Sequence, residues 1–96
     1  MQIKWLAKAL KNLDDEAEFI ASEDPAAARL VVQRIVTAVN LLEETPNLGR
    51  PGRIAGTREL VVPNTRYIIP YRINSGLQQI EILRVFHTSR RLPGQW

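Results

Sequence analysis

The sequence predicts an α+β domain: a short N-terminal strand, then an antiparallel helical hairpin packed on a mainly antiparallel four-stranded sheet. Three observations carry this reading. Apolar residues recur every three or four positions from Leu6 to Ile20 and again from Val31 to Leu42, the period of a helix with one buried face. After Gly56, three β-branched and aromatic runs are separated by turn residues, the pattern of a β-meander. Between the two patterns, Pro46 to Gly56 holds two prolines and three glycines and reads as a loop. The 96 residues suit a single domain over 1–96 with one core.

The elements follow in order. Gln2 to Trp5 is a short extended stretch that adds a strand to the sheet. Leu6, Leu10, Leu13, Ala17 and Ile20 are spaced by four, three, four and three residues, which predicts one helix from about 7 to 22. Asp14, Asp15, Glu16 and Glu18 fall mostly off that stripe and are expected to be solvated. Asp24 before Pro25 is a cap followed by a first-turn proline, so a second helix starts there. It carries Val31, Ile35, Ala38, Val39 and Leu42 on one side and ends by Thr45, because Pro46 disfavours helix before it. The short link makes the pair an antiparallel hairpin.

The strands are expected at 57–62, 66–73 and 78–87, with turns at Pro63-Asn64 and Asn74-Ser75-Gly76. In the middle one, Tyr67, Ile69, Tyr71 and Ile73 share one face, and Arg66, Ile68, Pro70 and Arg72 the other. Pro70 has no N–H for a ladder, so a bulge or an unpaired position is expected beside it. The last strand is apolar on both faces near its middle, which suits the interior of the sheet. Thr88 to Trp96 leaves room for a turn or two at most.

Charge divides the chain. Residues 1–48 carry five bases against eight acids, and all three lysines lie there. Residues 49–96 carry eight arginines against only Glu59 and Glu81. The planar guanidinium grips a carboxylate or phosphate through two hydrogen bonds and is less strongly hydrated than an ammonium. The basic half is therefore expected to face an acidic or phosphorylated partner through Arg50, Arg53, Arg58, Arg66, Arg84, Arg90 and Arg91. In the loop, Arg50 and Arg53 stand either on a plain connection or on a segment that closes over a ligand.

Several chemistries find no footing. There is no cysteine, hence no disulfide framework. Neither a phosphate loop, a dinucleotide fingerprint nor a zinc spacing occurs, so no cofactor and no metal is expected. With one histidine and no nucleophile elbow, a hydrolase triad cannot be assembled. The N-terminus is too polar for a signal peptide, and no run of about 18 apolar residues offers a membrane span. A cytoplasmic protein is the expectation. His87 is the single group that titrates near neutrality unaided. It reads either as a hydrogen-bonded histidine at a sheet edge or as a general acid or base in RNA cleavage, with arginines stabilising the phosphorane. Tyr67 and Tyr71 admit base stacking, but the face they share with Ile69 and Ile73 favours the core.

The order of strand, helical hairpin, Pro-Gly-Arg loop and arginine-rich meander resembles the RelE/ParE superfamily of toxins from bacterial type II toxin–antitoxin modules. The stretches that carry the resemblance are Ile3-Lys4-Trp5, Asp24-Pro25-Ala26-Ala27-Ala28, and Leu48-Gly49-Arg50-Pro51-Gly52-Arg53. Gly56-Thr57-Arg58-Glu59-Leu60-Val61-Val62 and Glu81-Ile82-Leu83-Arg84-Val85-Phe86-His87 complete them. The loop and final-strand motifs look closer to the ParE-like branch. The basic half has no lysine and no tyrosine follows Tyr71, so the lysine-and-tyrosine pattern of RelE-like members is missing. The resemblance implies a growth-arresting toxin that binds and poisons DNA gyrase and is held by a cognate antitoxin in a hetero-oligomer. The RelE-like alternative is a ribosome-dependent mRNA endonuclease, with the ribosome and mRNA as partners and Arg58, Arg66, Arg84 and His87 as candidate catalytic groups.

Overall fold

A computed structural model describes residues 1–89. Strand β1 (Gln2–Trp5) leads into helix α1 (Ala7–Ala21), and helix α2 (Pro25–Asn40) continues as a 3₁₀ turn, Leu41–Glu43. Strands β2 (Arg50–Pro51), β3 (Arg58–Val61), β4 (Tyr67–Asn74), β5 (Gln79–Ile82) and β6 (Phe86–His87) follow. The sheet order is β1-β5-β4-β3-β2, with β6 pairing β4 beyond the end of β5.

The hairpin forms where the spacing placed it. The Asp24 carboxylate accepts from the Ala27 amide at 3.1 Å, with Pro25 at the first helical position. Ile35, Ala38, Val39 and Leu42 are buried against Leu60, Ile69, Tyr71, Ile80 and Ile82 of the sheet, and Val31 packs at the margin of that core. Pro25–Glu43 has the length and apolar content of a membrane crossing, 19 residues at mean hydropathy 1.2. Arg29, Gln33 and Arg34 interrupt it, all on exposed positions, and its apolar face is the one buried on the sheet.

Helix α1 departs from the expected stripe. Leu10 is 47% exposed, while Ala9 is fully buried and Leu13 and Ile20 pack against the core. The helix is rotated so that small Ala9 lets it lie close to the sheet, and Leu10 swings outward. Glu16 is not a solvated acid, for its carboxylate accepts from the Tyr67 hydroxyl at 2.9 Å. Asn12 on the same helix accepts from the Val85 amide at 3.1 Å, tying α1 to the far end of the sheet.

The sheet is larger and more mixed than the expected four antiparallel strands. β1 runs parallel to β5, with Ile3 opposite Ile80 and Trp5 opposite Ile82. The arginine loop contributes a strand of its own, β2, antiparallel to β3. The expected last strand, 78–87, is broken. β4 pairs with β5 from Tyr71 to Asn74 and with β6 at Tyr67 and Ile68, so Leu83, Arg84 and Val85 stand opposite only Ile69 and Pro70. That extra residue is a β-bulge beside the proline that cannot donate. The Pro70 carbonyl still accepts from the Leu83 amide at 2.9 Å. At the other turns, Asn64 takes φ +60° after Pro63, and Gln78 takes φ +52° before β5.

Candidate functional site

The arginine loop is anchored by side chains of the strands beneath it. Tyr71, wholly buried on the inner face of β4, reaches it with its hydroxyl. That oxygen accepts from the Gly49 amide at 2.8 Å and donates to the Pro46 carbonyl at 2.6 Å. Gly49 is required there, because a Cβ would lie 2.7 Å from the tyrosine ring and 2.9 Å from the Glu59 carbonyl. Arg58 on β3 donates to the carbonyls of Gly49 (2.7 Å) and Asn47 (3.4 Å). Burial raises the Tyr71 phenol above its usual range, against the lowering pull of the Gly49 amide and the nearby Arg58 charge. Both stacking candidates are thus core residues with their hydroxyls in use.

Glu59 organises the loop's two cations. It is only 3% exposed, and its carboxylate accepts from the Arg53 amide at 3.0 Å. The Arg50 guanidinium stands 3.4 Å away and that of Arg53 at 3.7 Å. Those two side chains remain 56% and 45% exposed. The loop is therefore tied to β3 and β4 by side-chain hydrogen bonds. Gly52 completes it by donating to the Thr57 carbonyl at 2.8 Å.

Glu81, the other acid of the basic half, is paired on the outer face with its cross-strand neighbour Arg72 and hydrogen-bonded by Asn74 at 3.4 Å. The Arg72 hydrogen bond outweighs burial and holds the Glu81 carboxyl below its usual range.

His87 lies at the opposite end of β4, in register with Tyr67 and edge-on to its ring, with centroids 5.1 Å apart. It shares a hollow of about 220 Å³ with Phe19, Ile20, Val31, Thr65 and Arg66. Its Nδ1 accepts from the Ser89 amide at 3.2 Å, with the Ser89 hydroxyl at 2.7 Å. Arg66 is exposed, whereas Arg84, in the bulge, donates to the Leu83 carbonyl at 2.6 Å.

The candidate arginines thus fall into separate groups. Arg50, Arg53 and Arg58 surround Gly49 and Glu59, while Arg66 borders the His87 hollow. Arg58 is opposite Tyr71 and His87 opposite Tyr67, four residues apart along β4, or about 13 Å at strand rise. Arg90 and Arg91 lie outside the described residues. Sequence reasoning missed Tyr71 and Glu59 as site residues. A lone carboxylate among arginines on a strand was a usable signal for Glu59; nothing local marked the reach of the Tyr71 hydroxyl into the loop.

Comparisons with known proteins identify the family. Residues 3–92 match the family described as the ParE toxin of the type II toxin–antitoxin system parDE. A protein of Sinorhizobium fredii, Y4kP, provisionally assigned as a toxin, is 49% identical over 92 residues, covering 96% of this chain and 93% of its own. Toxin RelE2 of Caulobacter vibrioides is 36% identical over 89 residues, covering 93% and 97%. Among solved structures, the chromosomal ParDE toxin–antitoxin system from P. aeruginosa superposes with a TM-score of 0.85 at 30% identity, covering 93% of this chain and 97% of that one. A whole-length family match, two curated relatives and a shared fold lead to one assignment: the chain belongs to the ParE toxin family of type II toxin–antitoxin systems, within the RelE/ParE superfamily.

Proposed function

We propose that this toxin arrests growth by binding and poisoning DNA gyrase in the cytoplasm, without itself catalysing a reaction. Family membership supports the choice of target. The non-catalytic mode rests on one observation, the separation of Arg58 from His87 along β4. A nuclease needs a base and cations converging within hydrogen-bond reach of one phosphate. Here Arg58 is anchored about 13 Å along β4 from His87, and Nδ1 of His87 is taken by the Ser89 amide. Arg50, Arg53 and Arg66, with exposed side chains, are the target contacts, joined by Arg84, Arg90 and Arg91, while Arg58 holds the loop carbonyls.

The cognate antitoxin covers the arginine loop and the outer groove of the hairpin. That groove, about 650 Å³, is floored by Ala17, Ala21, Ala28, Val32 and Val36. It suits the apolar side of a segment that folds on binding, while acidic residues of the same segment meet the arginines.

The test is induction without antitoxin, followed by plasmid supercoiling and mRNA integrity in the same cells. The expected outcome is altered supercoiling with intact mRNA. His87→Gln should leave the effect within about threefold, whereas loss of a general acid or base costs about a hundred- to ten-thousandfold. Replacing Arg50, Arg53 and Arg66 together by Gln should weaken the effect at least about a hundredfold, since charge-assisted hydrogen bonds contribute about 1.5–3 kcal/mol each. The endonuclease reading draws on the pairing of Arg66 and His87 in one hollow. It would prevail if mRNA were cut only in the presence of ribosomes and His87→Gln abolished the cutting.

A further inference from the structure

The segment from Pro46 to Arg53 has its backbone turned inward and its side chains turned outward. Its inward polar groups are taken by side chains from the strands below: the Pro46 carbonyl and Gly49 amide by Tyr71, the Asn47 and Gly49 carbonyls by Arg58, and the Arg53 amide by Glu59. Leu48, Arg50 and Arg53 are exposed. The turn at Ser75–Gln78 is built differently. There the side-chain bonds among the described residues are local, from the Leu77 amide to Asn74 and from the Gln78 side chain to the Ser75 carbonyl, and the long-range tie is made by backbone, the Gln2 amide donating to the Gln78 carbonyl at 3.0 Å.

A connection needs only to join its ends. Long-range clamping by three side chains, with a glycine at the one spot where a Cβ would strike the tyrosine ring, exceeds that need. We propose that Tyr71, Arg58 and Glu59 form a latch that pre-shapes the 46–53 loop as the toxin's target-binding surface. They act as positioning residues: Tyr71 and Arg58 set the path of the backbone, and Glu59 sets the aim of the Arg50 and Arg53 guanidinium groups. A surface shaped in advance binds without first ordering a proline- and glycine-rich segment. For the identity of the target, and only for that, this inference rests on the gyrase reading above.

Tyr71→Phe removes one hydroxyl and leaves the ring, so it opens the latch while keeping core volume. Ile35→Val, in α2, serves as a control that lowers stability without touching the loop. Glu59→Gln keeps the size of the side chain and removes the charge that aims the arginines. Three readouts are taken on the full chain: amide exchange at Gly49, viable count after induction, and inhibition of purified gyrase. Tyr71→Phe should speed exchange at Gly49 at least tenfold with β4 and β5 protection unchanged. It and Glu59→Gln should each relieve growth arrest at least tenfold, and Ile35→Val should do neither. Unchanged exchange at Gly49, or faster exchange with full growth arrest, overturns the latch. So does an Ile35→Val control that relieves arrest as strongly as Tyr71→Phe. If the wild type leaves gyrase untouched while arrest still depends on Tyr71 and Glu59, the gyrase target falls and the latch stands.

Discussion

Ion pairs of acid with base sit in both halves of this molecule, and they have different consequences. In the helical half, Lys11 and Asp15 meet at 3.0 Å, one turn apart on α1, with side chains 74% and 54% exposed. Water solvates both partners whether or not they touch, so the pair contributes little. In the sheet half, Glu59 and Glu81 are buried acids, Glu59 beside Arg50 and Arg53 and Glu81 beside Arg72, and the three arginine side chains stay about half exposed. An acid removed from water requires its partners, and the partners in turn become fixed. The comparison teaches that the eight arginines are not one undifferentiated surface. Several of them partner buried acids while their side chains stay about half exposed.

The comparison can be broken most sharply in the helical half, where apolar burial should dominate. Ile35→Ala is expected to destabilise the protein by about 3 kcal/mol, because it leaves a cavity under α2. Chemical denaturation measures this, and a loss below about 1 kcal/mol would mean that the hairpin is not seated on the sheet as described. Glu59→Ala is next, at about 2 kcal/mol. It leaves the Arg53 amide without its acceptor and two guanidinium groups without a counter-charge, a cost reduced by their exposure. If Glu59→Ala behaved like a surface mutant, the proposed difference between the halves would vanish.

A smaller effect concerns pH. Arg72 holds the folded-state pKa of Glu81 below its ordinary value, so the unfolded chain binds that proton more readily. The resulting stability is present above the ordinary glutamate range and is lost as pH falls from that range through the lowered folded value. Denaturation midpoints of wild type and Arg72→Gln should therefore converge in acid and separate as the pH returns to neutral. Parallel curves at every pH would show that the pair makes no such contribution. The smallest effect is expected from Lys11→Ala, within about 0.5 kcal/mol of wild type. A larger loss would move this exposed pair into the class of the buried ones.

How much of this could be read from residues depends on how local the signal was. Helix positions, the Asp24 cap, both sheet turns and the burial of Tyr67 and Tyr71 follow from periodicity and turn chemistry within a few residues of each position. The N-terminal strand was legible too, but its parallel pairing with β5 was not, since partner and direction are chosen across some 77 residues. The rotation of α1 that exposes Leu10 depends on how closely Ala9 approaches the sheet, and two adjacent apolar residues do not reveal which one faces in. The bulge at Leu83–Val85 was announced by Pro70, although the proline could not say on which strand the extra residue would stand.

The sequence alone determined the fold class, the family and the arginine-rich half, because those depend on composition, spacing and motif. Only the tertiary structure decided which arginines are partnered and which face outward. It also decided that Tyr71, 22 residues from Gly49 in the chain, holds that glycine's amide. Hydrogen bonds and buried charges are satisfied by whichever groups folding brings within about 3 Å, and proximity of that kind is a property of the packed molecule.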